Sequence, residues 1–314
     1  MTKMNNRAYG IIGVKAEMAN WNADFTGKPK SMANGTHFGS DKALKYPIRQ
    51  FWKNEGHNVL YIKSIVKGKK DTLQVADLKE RYESLFGEAP VNVQKTLENI
   101  FQCVDVLNFG GTFATKEVNI GVTGPVQFVD GLNVFLNTEV GTQDILSPFR
   151  NTNNEDADRG TIGKKIFADR MHYIYPFSVN PNNVKEWEGL IEGFEGYTVE
   201  AYEAFKLGAC LGPLALNTNT KAGCYTEFAL FVELEDESKA LLPNLNKYVD
   251  VTFEGEKAIY NLDNLADLLG DVQNAVKTVE IHYNPLNVEV ETAKLDTLGV
   301  DVQYLQVFTG SKLK

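Results

Sequence analysis

Apolar and polar positions along the first fifty residues predict a strand, a long loop and a helix. Residues 9–14 are apolar and include β-branched side chains, which favours a buried strand. Residues 20–39 are rich in Asn, Gly, Ser and Lys and have no apolar period, so we expect a loop. Ser40 or Asp41 can begin the helix, because a short side-chain oxygen accepts hydrogen bonds from the free amides of a first turn. Loops as long as the one predicted for residues 20–39 are uncommon and often functional.

The predicted helix has a cationic face and an apolar face. Lys42, Lys45 and Arg49 are spaced i, i+3, i+7 and lie on one side of the helical period. The residues roughly opposite are Leu44, Ile48, Phe51 and Trp52. Pro47 lies too deep to be a first-turn proline, so we expect a kink or an early restart there. Two interpretations of the cations stay open: a solvated basic face, or a binding surface for a polyanion.

Further along the chain the pattern alternates between strands and helices. The predicted strands cover 58–66, 103–114, 118–128, 172–179, 227–233, 248–260 and 278–290. The predicted helices cover 76–86, 92–102, 183–192, 198–211 and 262–277. A Gly-Pro step at 124–125 indicates an edge or a bulge in its strand. This order favours an α+β protein of the ferredoxin-like, split βαβ type.

Residues 138–170 differ from the rest because they are polar, mixed in charge and poor in large apolar side chains. They can form either a flexible insertion or a protruding hairpin or finger. The cations available there to a polyanion are Arg150, Arg159, Lys164, Lys165 and Arg170. Neighbouring acids largely balance them, so the charge signal of this segment is weak by itself.

Length and composition indicate a soluble globular protein with one large domain or two small ones. The polar N-terminus lacks the apolar segment of a secretory signal, and no apolar run approaches the roughly 20 residues of a membrane span. We therefore expect a cytoplasmic protein with no membrane partner. Cys103, Cys210 and Cys224 form no CxxC pair, which is typical of reduced thiols and indicates neither a disulfide frame nor a zinc site.

The charges are distributed unevenly along the chain. The whole chain carries −9, but residues 1–70 contain 13 Lys/Arg against 4 Asp/Glu, a net charge of +9. The remaining 244 residues carry −18, and residues 227–301 alone carry −11. A polyanion responds to the local basic region, and Lys28, Lys30 and His37 add to it beside the helix. The simpler alternative is that the N-terminal lysines only keep the protein soluble.

Catalytic signatures are sparse. The histidines have no metal-binding spacing such as HExxH, and there is no GxSxG, P-loop or GxGxxG motif. Asp24 and Asp41 flank the basic loop and could hold a metal for phosphodiester cleavage, although Asp41 also suits a helix first turn. Phe109 and Phe113 in NFGGTFA are possible base-stacking residues, but Phe in a strand usually belongs to the core. We expect no cofactor and no resident metal.

Several segments together carry a specific resemblance to a known family. They are MANWNADFTGKPK, GTHFGSDKALKYPIRQFW, NFGGTFA, TGPVQF, QDILSPFRN, TIGKK, HYIYPFSVNPNN and NTNTKAG, in this order over residues 7–235. With them the chain closely resembles the backbone subunit of type I-B CRISPR Cascade complexes, within the repeat-associated mysterious protein superfamily. The acidic C-terminal part matches this family less clearly.

The resemblance implies a modified RNA-recognition fold described as a hand. The palm would comprise residues 1–137 and 171–314, with finger insertions at about 15–40 and 67–102 and a thumb at 138–170. Copies would stack head to tail along the spacer of the crRNA, with each thumb folding over the RNA of its neighbour. The family is non-catalytic, and target DNA would be read through the guide. Partners would be other Cascade subunits, and the sequence leaves open whether transposition proteins are among them.

Phosphate contacts position RNA, whereas base pairing between guide and target reads its sequence. We therefore expect basic and amide side chains to contact the RNA backbone. The expected RNA-binding residues are Lys15, Asn20, Trp21, Asn22, Lys28, His37, Ser40, Lys42, Lys45, Arg49, Gln127, Arg150, Lys164, Lys165, Asn219 and Lys221. Two alternatives stay open. One is a metal-dependent ribonuclease using Asp24 or Asp41, and the other is a scaffold whose acidic face binds a basic protein.

Overall fold

The first predicted strand lies at the centre of the largest sheet in the computed structural model, which describes residues 2–68, 72–149 and 161–313. The strands are β1 (Ala8–Ala19), β2 (Phe38–Gly39), β3 (Ile65–Lys67), β4 (Leu73–Val75), β5 (Gly110–Ala114), β6 (Asn119–Thr123), β7 (Val126–Phe128), β8 (Gly131–Asn133), β9 (Val140–Leu146), β10 (Thr161–Val179), β11 (Cys224–Leu234), β12 (Asp250–Glu254), β13 (Lys257–Asn261), β14 (Val276–Tyr283), β15 (Val288–Glu291) and β16 (Asp301–Gln306). The α-helices are α1 (Asp41–Asn54), α2 (Leu78–Phe86), α3 (Val93–Ile100), α4 (Val104–Phe109), α5 (Val199–Ala215) and α6 (Asp263–Gly270).

This sheet has the strand order β16-β14-β11-β1-β10-β8-β2, and β7 and β9 also pair with β10. β1 is antiparallel to both neighbours, so that Ala8 lies opposite Val179 of β10 and Glu233 of β11. β14 and β16 are parallel. Three smaller sheets pair β12-β13-β15, β3-β4 and β5-β6. The N-terminal strand therefore depends on partners that come much later in the chain.

Both faces of the central sheet are covered. Ile12 of β1 faces the core that includes Trp52 of α1 and Phe205 of α5. Ile11 faces the opposite way, into a second core that includes Tyr260 of β13. The second core is formed by the acidic C-terminal third, which closes the sheet face that the helices leave free. Each fully buried large apolar side chain contributes about 1.5–3 kcal/mol, so both cores are needed to hold the sheet.

The structure corrects two predicted strands. Residues 58–64 are irregular, and only Ile65–Lys67 of the predicted strand 58–66 is extended in a ladder. The cause is the buried Asp105 carboxylate, which accepts hydrogen bonds from the Leu60 and Tyr61 amides that a neighbouring strand would otherwise bind. The predicted strand 103–114 begins instead as helix α4, which ends at Phe109, and Gly110 (φ +68°) both caps this helix and begins β5.

Other predictions hold with shorter or longer bounds. α2 and α3 confirm the two predicted helices, and β6 and β7 confirm the strand interrupted by the Gly-Pro step. The predicted helix 183–192 is a 3₁₀ helix over Pro181–Trp187. The predicted strand 248–260 is two strands joined at Gly255, and the predicted helix 262–277 consists of α6 and a short 3₁₀ turn at Gln273–Ala275. Within the described residues, no helix is long and apolar enough to cross a membrane.

Helix α1 differs from the prediction at its start and at its proline. Ser40 precedes it but makes no side-chain capping bond, and the Asp41 amide is bound instead by the Asp130 carboxylate at 2.9 Å. This cap comes from the segment between β7 and β8, so local sequence could not reveal it. The helix then runs through Pro47 as one element, so the predicted restart does not occur.

The segment 138–170 has hairpin arms. β9 pairs with the first part of β10 from Thr161 opposite Leu146 to Ala168 opposite Val140. β10 then continues without a break into the central sheet, which ties the hairpin to the core. This geometry supports the hairpin interpretation of the segment over the flexible one. Arg150 and Arg159, which were expected to be available to a polyanion, lie outside the described residues.

Candidate nucleic-acid interface

The polar loop between β1 and α1 is braced from inside at both ends. Trp21 is buried, and its indole Nε1 donates to the Tyr175 hydroxyl of β10 at 2.6 Å. At the other end, the Gly39 backbone packs directly against the same Tyr175 hydroxyl, since a Cβ at this position would lie 1.7 Å from it. Asn22 spans the loop and donates to the Phe38 carbonyl at 3.3 Å. The loop is therefore a fixed structure, and Trp21 and Asn22 are buried in it.

Asn20 and Lys221 join this loop to two other parts of the chain. The Asn20 amide group donates to the carbonyls of Gly27 (2.9 Å) and Ile166 (3.3 Å), the latter at the base of the hairpin. The Lys221 ammonium donates to the carbonyls of Asn20 (2.6 Å) and Trp21, and burial lowers its pKa to about 8. Both residues were expected to contact RNA, and the structure gives both internal partners.

A tight turn forms the exposed tip of the loop. Asp24 accepts three hydrogen bonds with one oxygen, from the Thr26 amide (2.7 Å), the Thr26 hydroxyl (2.8 Å) and the Lys28 amide (3.0 Å). The Thr26 hydroxyl bond is the main reason that the pKa of Asp24 is lowered. Phe25 and Lys28 are exposed on this turn. Phe25 was absent from the expected site, although an aromatic residue inside an Asn/Gly/Lys loop was a signal for it.

The cations of α1 do not form one solvated row, and the predicted separation from the core is wrong for two of them. Lys42 is exposed, as expected. Lys45 is buried, pairs with Asp41 at 3.0 Å and lies 5.3 Å from the Phe109 ring centre. Arg49 pairs with the fully buried Asp105 at 3.1 Å. Only the first turn of the helix therefore presents a free cation beside the loop, within the described residues.

Two further residues expected to contact RNA lie elsewhere: Lys15 on the other face of the sheet and Gln127 at its far end. Lys15 is buried under the C-terminal sheet, 3.0 Å from Glu17 and 3.7 Å from Glu256. Burial opposes its charge, but the hydrogen bond and attraction of Glu17 outweigh that effect and raise its pKa. Gln127 pairs opposite Ser178 at the end of β10 that lies away from the hairpin. Neither residue joins the surface around the loop.

Arg170, which the sequence offers to a polyanion, is also used internally. Its guanidinium lies between the rings of Phe135 (4.6 Å) and Phe253 (5.1 Å) and donates to His172 Nε2 at 2.8 Å. Because His172 Nε2 accepts this bond, its Nδ1 carries the proton and donates to buried Glu227 at 2.5 Å. These bonds tie the base of the hairpin to the C-terminal sheet.

The surface that remains around the loop is here named the basic rim. It comprises the turn 23–30, residues 37–40 with the first turn of α1, the β9–β10 arms and the turn 217–223. The bonds of Asn20 and Lys221 join the turn 23–30 to β10 and to the turn 217–223. Its exposed expected residues are Lys28, Lys42, Lys164 and Asn219, and its half-buried ones are His37, Ser40 and Lys165. Lys164 has one weak partner, Asp144, at 4.0 Å. Arg150 lies outside the described residues.

The residues proposed for metal-dependent cleavage have other roles in the structure. Asp24 shapes its turn, and Asp41 pairs with Lys45. In the described ranges, no group of three or more His, Cys, Asp or Glu side chains could hold a metal ion. Phe109 and Phe113 are buried, which confirms their core interpretation and makes base stacking by them wrong. Burial also raises the pKa of Cys210 and of Cys224 to about 12.

Two solved structures resemble the chain weakly. One, described as "CRISPR RNA-guided surveillance complex, pre-nicking", has 13% identity and a TM-score of 0.49, and covers 93% of this chain and 99% of its own. The other, described as "CRISPR RNA-guided surveillance complex", has 14% identity and a TM-score of 0.46, and covers 93% and 98%. The comparison with curated proteins gives no significant match.

The family comparison covers most of the chain. The family model described as "CRISPR-associated protein Cas7" matches residues 6–272, from just before β1 to just past α6. The matched range contains the braced loop, α1, the hairpin arms and the turn 217–223, which are all the elements of the basic rim. The chain belongs to the Cas7 family of CRISPR-associated proteins.

Proposed function

We propose that this protein is a non-catalytic backbone subunit of a type I-B CRISPR Cascade complex and binds the spacer part of the crRNA with its basic rim. The family match over residues 6–272 carries this proposal. The subtype rests on the sequence segments that resemble type I-B subunits. The protein acts in the cytoplasm, beside other Cascade subunits and further copies of itself, and meets target DNA through the guide.

The strand order supports the hand-like architecture in this proposal. With other elements inserted between them, the chain contains β1, α1, β8, β10, α5 and β11 in the order strand, helix, strand, strand, helix, strand. The four strands are adjacent and antiparallel in the sheet. This is the order of a ferredoxin-like palm. The β9–β10 hairpin is the thumb, and the insertions around the loop and around α2 and α3 are the fingers.

RNA binding on the rim depends on phosphate contacts rather than base reading. Lys28, Lys42 and Lys164 are exposed cations on three different elements of the rim and are available to phosphates. Such contacts fix position without reading sequence, which suits a subunit that must accept any spacer. Lys45 and Arg49 support α1 from behind, and base pairing between guide and target supplies specificity.

Nucleic-acid retention and affinity test the proposal. The wild-type protein should purify with RNA, seen as a raised 260/280 absorbance ratio, and should bind single-stranded RNA with an affinity that falls as salt rises. Lys28→Glu combined with Lys42→Glu should weaken binding strongly, and the salt slope should fall by about one unit for each lost phosphate contact. Lys247→Glu, an exposed cation on the acidic C-terminal part, is the matched control.

Unchanged RNA affinity in the folded double variant would contradict binding at the rim. Cleavage of labelled RNA in the presence of Mg²⁺ would instead favour the ribonuclease alternative. Binding of a basic protein with no RNA affinity at all would favour the scaffold alternative.

A further inference from the structure

Among the residues that the structure describes, Phe25 has no packing partner that explains its position. Its side chain is fully exposed (111%) at the tip of the braced loop. Burying a phenyl ring typically contributes about 1.5–3 kcal/mol, and this ring forgoes that gain in the free protein. We propose that Phe25 stacks on an unpaired base of single-stranded RNA that passes over the turn 23–30. This inference deepens the proposed function and rests on RNA binding at the basic rim.

The turn that carries Phe25 is ordered before any ligand arrives. The Asp24 amide donates to the Lys28 carbonyl at 2.8 Å, and Ala23 and Pro29 form a bridge beneath it. Gly27 supplies the left-handed conformation that the turn requires (φ +84°), and its carbonyl is held by Asn20. A ring on a fixed turn loses little conformational freedom on binding, which favours stacking.

The surroundings of Phe25 fit a nucleotide. Lys28 is exposed on the same turn, and Asp24, the only acid in the sequence 20–39, has its Oδ1 engaged by three intramolecular hydrogen bonds. An aromatic ring with a neighbouring cation is the combination that binds single strands, because every base has a π-face and every nucleotide a phosphate. The residues next to Phe25 on the turn, Thr26 and Gly27, add no large apolar surface. A protein partner would be expected to need a wider apolar patch.

Stacking of this kind is independent of sequence, so it suits a subunit that accepts any spacer. Alanine substitution of a stacking aromatic residue typically lowers affinity by about 5- to 150-fold per base. Phosphate contacts by Lys28 and Lys42 are independent of the base, so the two contributions can be separated by removing the bases from the RNA.

The test compares wild type, Phe25→Ala, Phe25→Trp and Phe25→Leu on two probes of equal length. One is labelled oligoadenylate, and the other is the same backbone with abasic sites. Phe25→Ala should bind oligoadenylate about 5- to 150-fold more weakly, Phe25→Trp should restore binding, and Phe25→Leu should resemble Phe25→Ala. On abasic RNA all four proteins should bind alike. Leu286→Ala, at an exposed leucine of the C-terminal part, is the control and should change neither affinity.

Equal oligoadenylate affinity of Phe25→Ala and wild type would overturn stacking while leaving the proposed function intact. An equal loss on abasic RNA would overturn it too, because the ring would then act through the turn and not through a base. If Phe25→Ala changes self-association without RNA and leaves RNA affinity unaltered, Phe25 is a contact between copies and the stacking proposal is overturned. Absence of RNA binding by the wild-type protein would overturn the proposed function and this inference with it.

Discussion

Arg49 shows how a residue that is basic and well spaced on a helix can be structural. Its Nε donates to an Asp105 carboxylate that has no solvent exposure and also binds the Leu60 and Tyr61 amides. The helical period correctly predicts its side of α1. It could not predict Asp105, which lies far along the chain on another helix. Charge-reversal of the whole face would therefore unfold the protein as well as remove phosphate contacts.

Replacing Arg49 by Gln should destabilise the protein by about 3 kcal/mol, the lower end of the range for breaking a buried ion pair. The lower end applies because Asp105 keeps its two amide donors. Chemical denaturation of Arg49→Gln and of the exposed control Lys42→Gln measures the difference. Equal unfolding midpoints for the two variants would contradict the structural role of Arg49.

Lys221 should make stability depend on pH in the alkaline range. Burial lowers its folded pKa to about 8, below the unfolded value of 10.5, so the folded state binds fewer protons between these two values. The cost of this buried charge is therefore present in full below pH 8 and is relieved as pH rises towards 10.5. The free energy of unfolding of wild type minus that of Lys221→Met should rise over this range. A flat difference would show that Lys221 remains charged at no cost.

The elements that sequence predicts well are those whose period is local. α1, α2, α3 and β1 follow from apolar spacing within one segment, and the Gly-Pro step correctly separates β6 from β7. Elements fixed by distant partners were missed. Residues 58–64 do not form a strand, because the Asp105 carboxylate binds backbone amides there. Helix α1 is capped by Asp130 and not by Ser40. The loop between β1 and α1 could be predicted from its residue types, but the hydrogen bonds that Asn20 donates to Ile166 and that Lys221 donates to the loop could not.

The hairpin should tolerate a new tip. Replacing residues 151–160, which lie outside the described residues, by a short Gly/Ser linker should leave thermal stability nearly unchanged. The reason is that the arms join the core below that point, where Ala168 is buried and Ile166 binds Asn20. Assembly on RNA should weaken if the hairpin is a thumb. Thermal melting and RNA binding check the two parts, and unfolding of the variant would place the tip in the core.

Lys206 joins α5 to β14 and should be a strong stability determinant. It lies 2.9 Å from Glu280, 2.8 Å from Glu203 and 3.7 Å from Glu233, with little exposure. Replacement by Met leaves these carboxylates without their cation, so we expect a loss of about 3–5 kcal/mol at neutral pH. Lys247→Met, an exposed lysine, is the control.

The loss of unfolding free energy caused by Lys206→Met should be smaller at acid pH than at neutral pH. Burial opposes ionisation of Glu280, but hydrogen bonds from His282 and Lys206 outweigh it and lower its folded pKa to about 2. Its contribution is therefore complete above the unfolded value of 4.5 and is lost as pH falls towards 2. Burial raises the pKa of Glu233, but the charge of Lys206 opposes this, so protonation of Glu233 in acid also reduces the effect of losing Lys206. Chemical denaturation of wild type and Lys206→Met at several acid pH values measures this change. A difference in unfolding free energy that stays constant with pH would contradict the prediction.

On the scale of the whole molecule, the charge of residues 1–70 (+9) contrasts with that of residues 227–301 (−11). In the structure the acidic part contributes most of the second core and covers one face of the sheet. Like-charged bodies repel at low salt, so RNA would supply both the template and the opposite charge for stacking copies. When successive copies contact each other through two different surfaces, the assembly does not close into a ring. The length of the guide would then set the number of copies.

The isolated protein should therefore be monomeric or heterogeneous, and with guide RNA it should form filaments. The number of subunits should rise in steps with spacer length and should not depend on spacer sequence. Mass photometry on guides of graded length measures this number. A closed ring of fixed size without RNA, or a number indifferent to guide length, would refute the expectation.

The central place of β1 also governs how the chain can fold during its synthesis. Ala8 must wait for Val179 before one edge of its strand can pair, and for Glu233 before the other edge can pair. At roughly 5–20 residues per second, the ribosome needs about 10–40 s to proceed from β1 to the end of β11. Until β10 has been synthesised, this apolar, β-prone segment has neither neighbour, and pairing over such separations is intrinsically slow. Nascent chains should thus depend on chaperone protection of their first twenty residues, and full-length yield should fall when translation is crowded or stalled before residue 234.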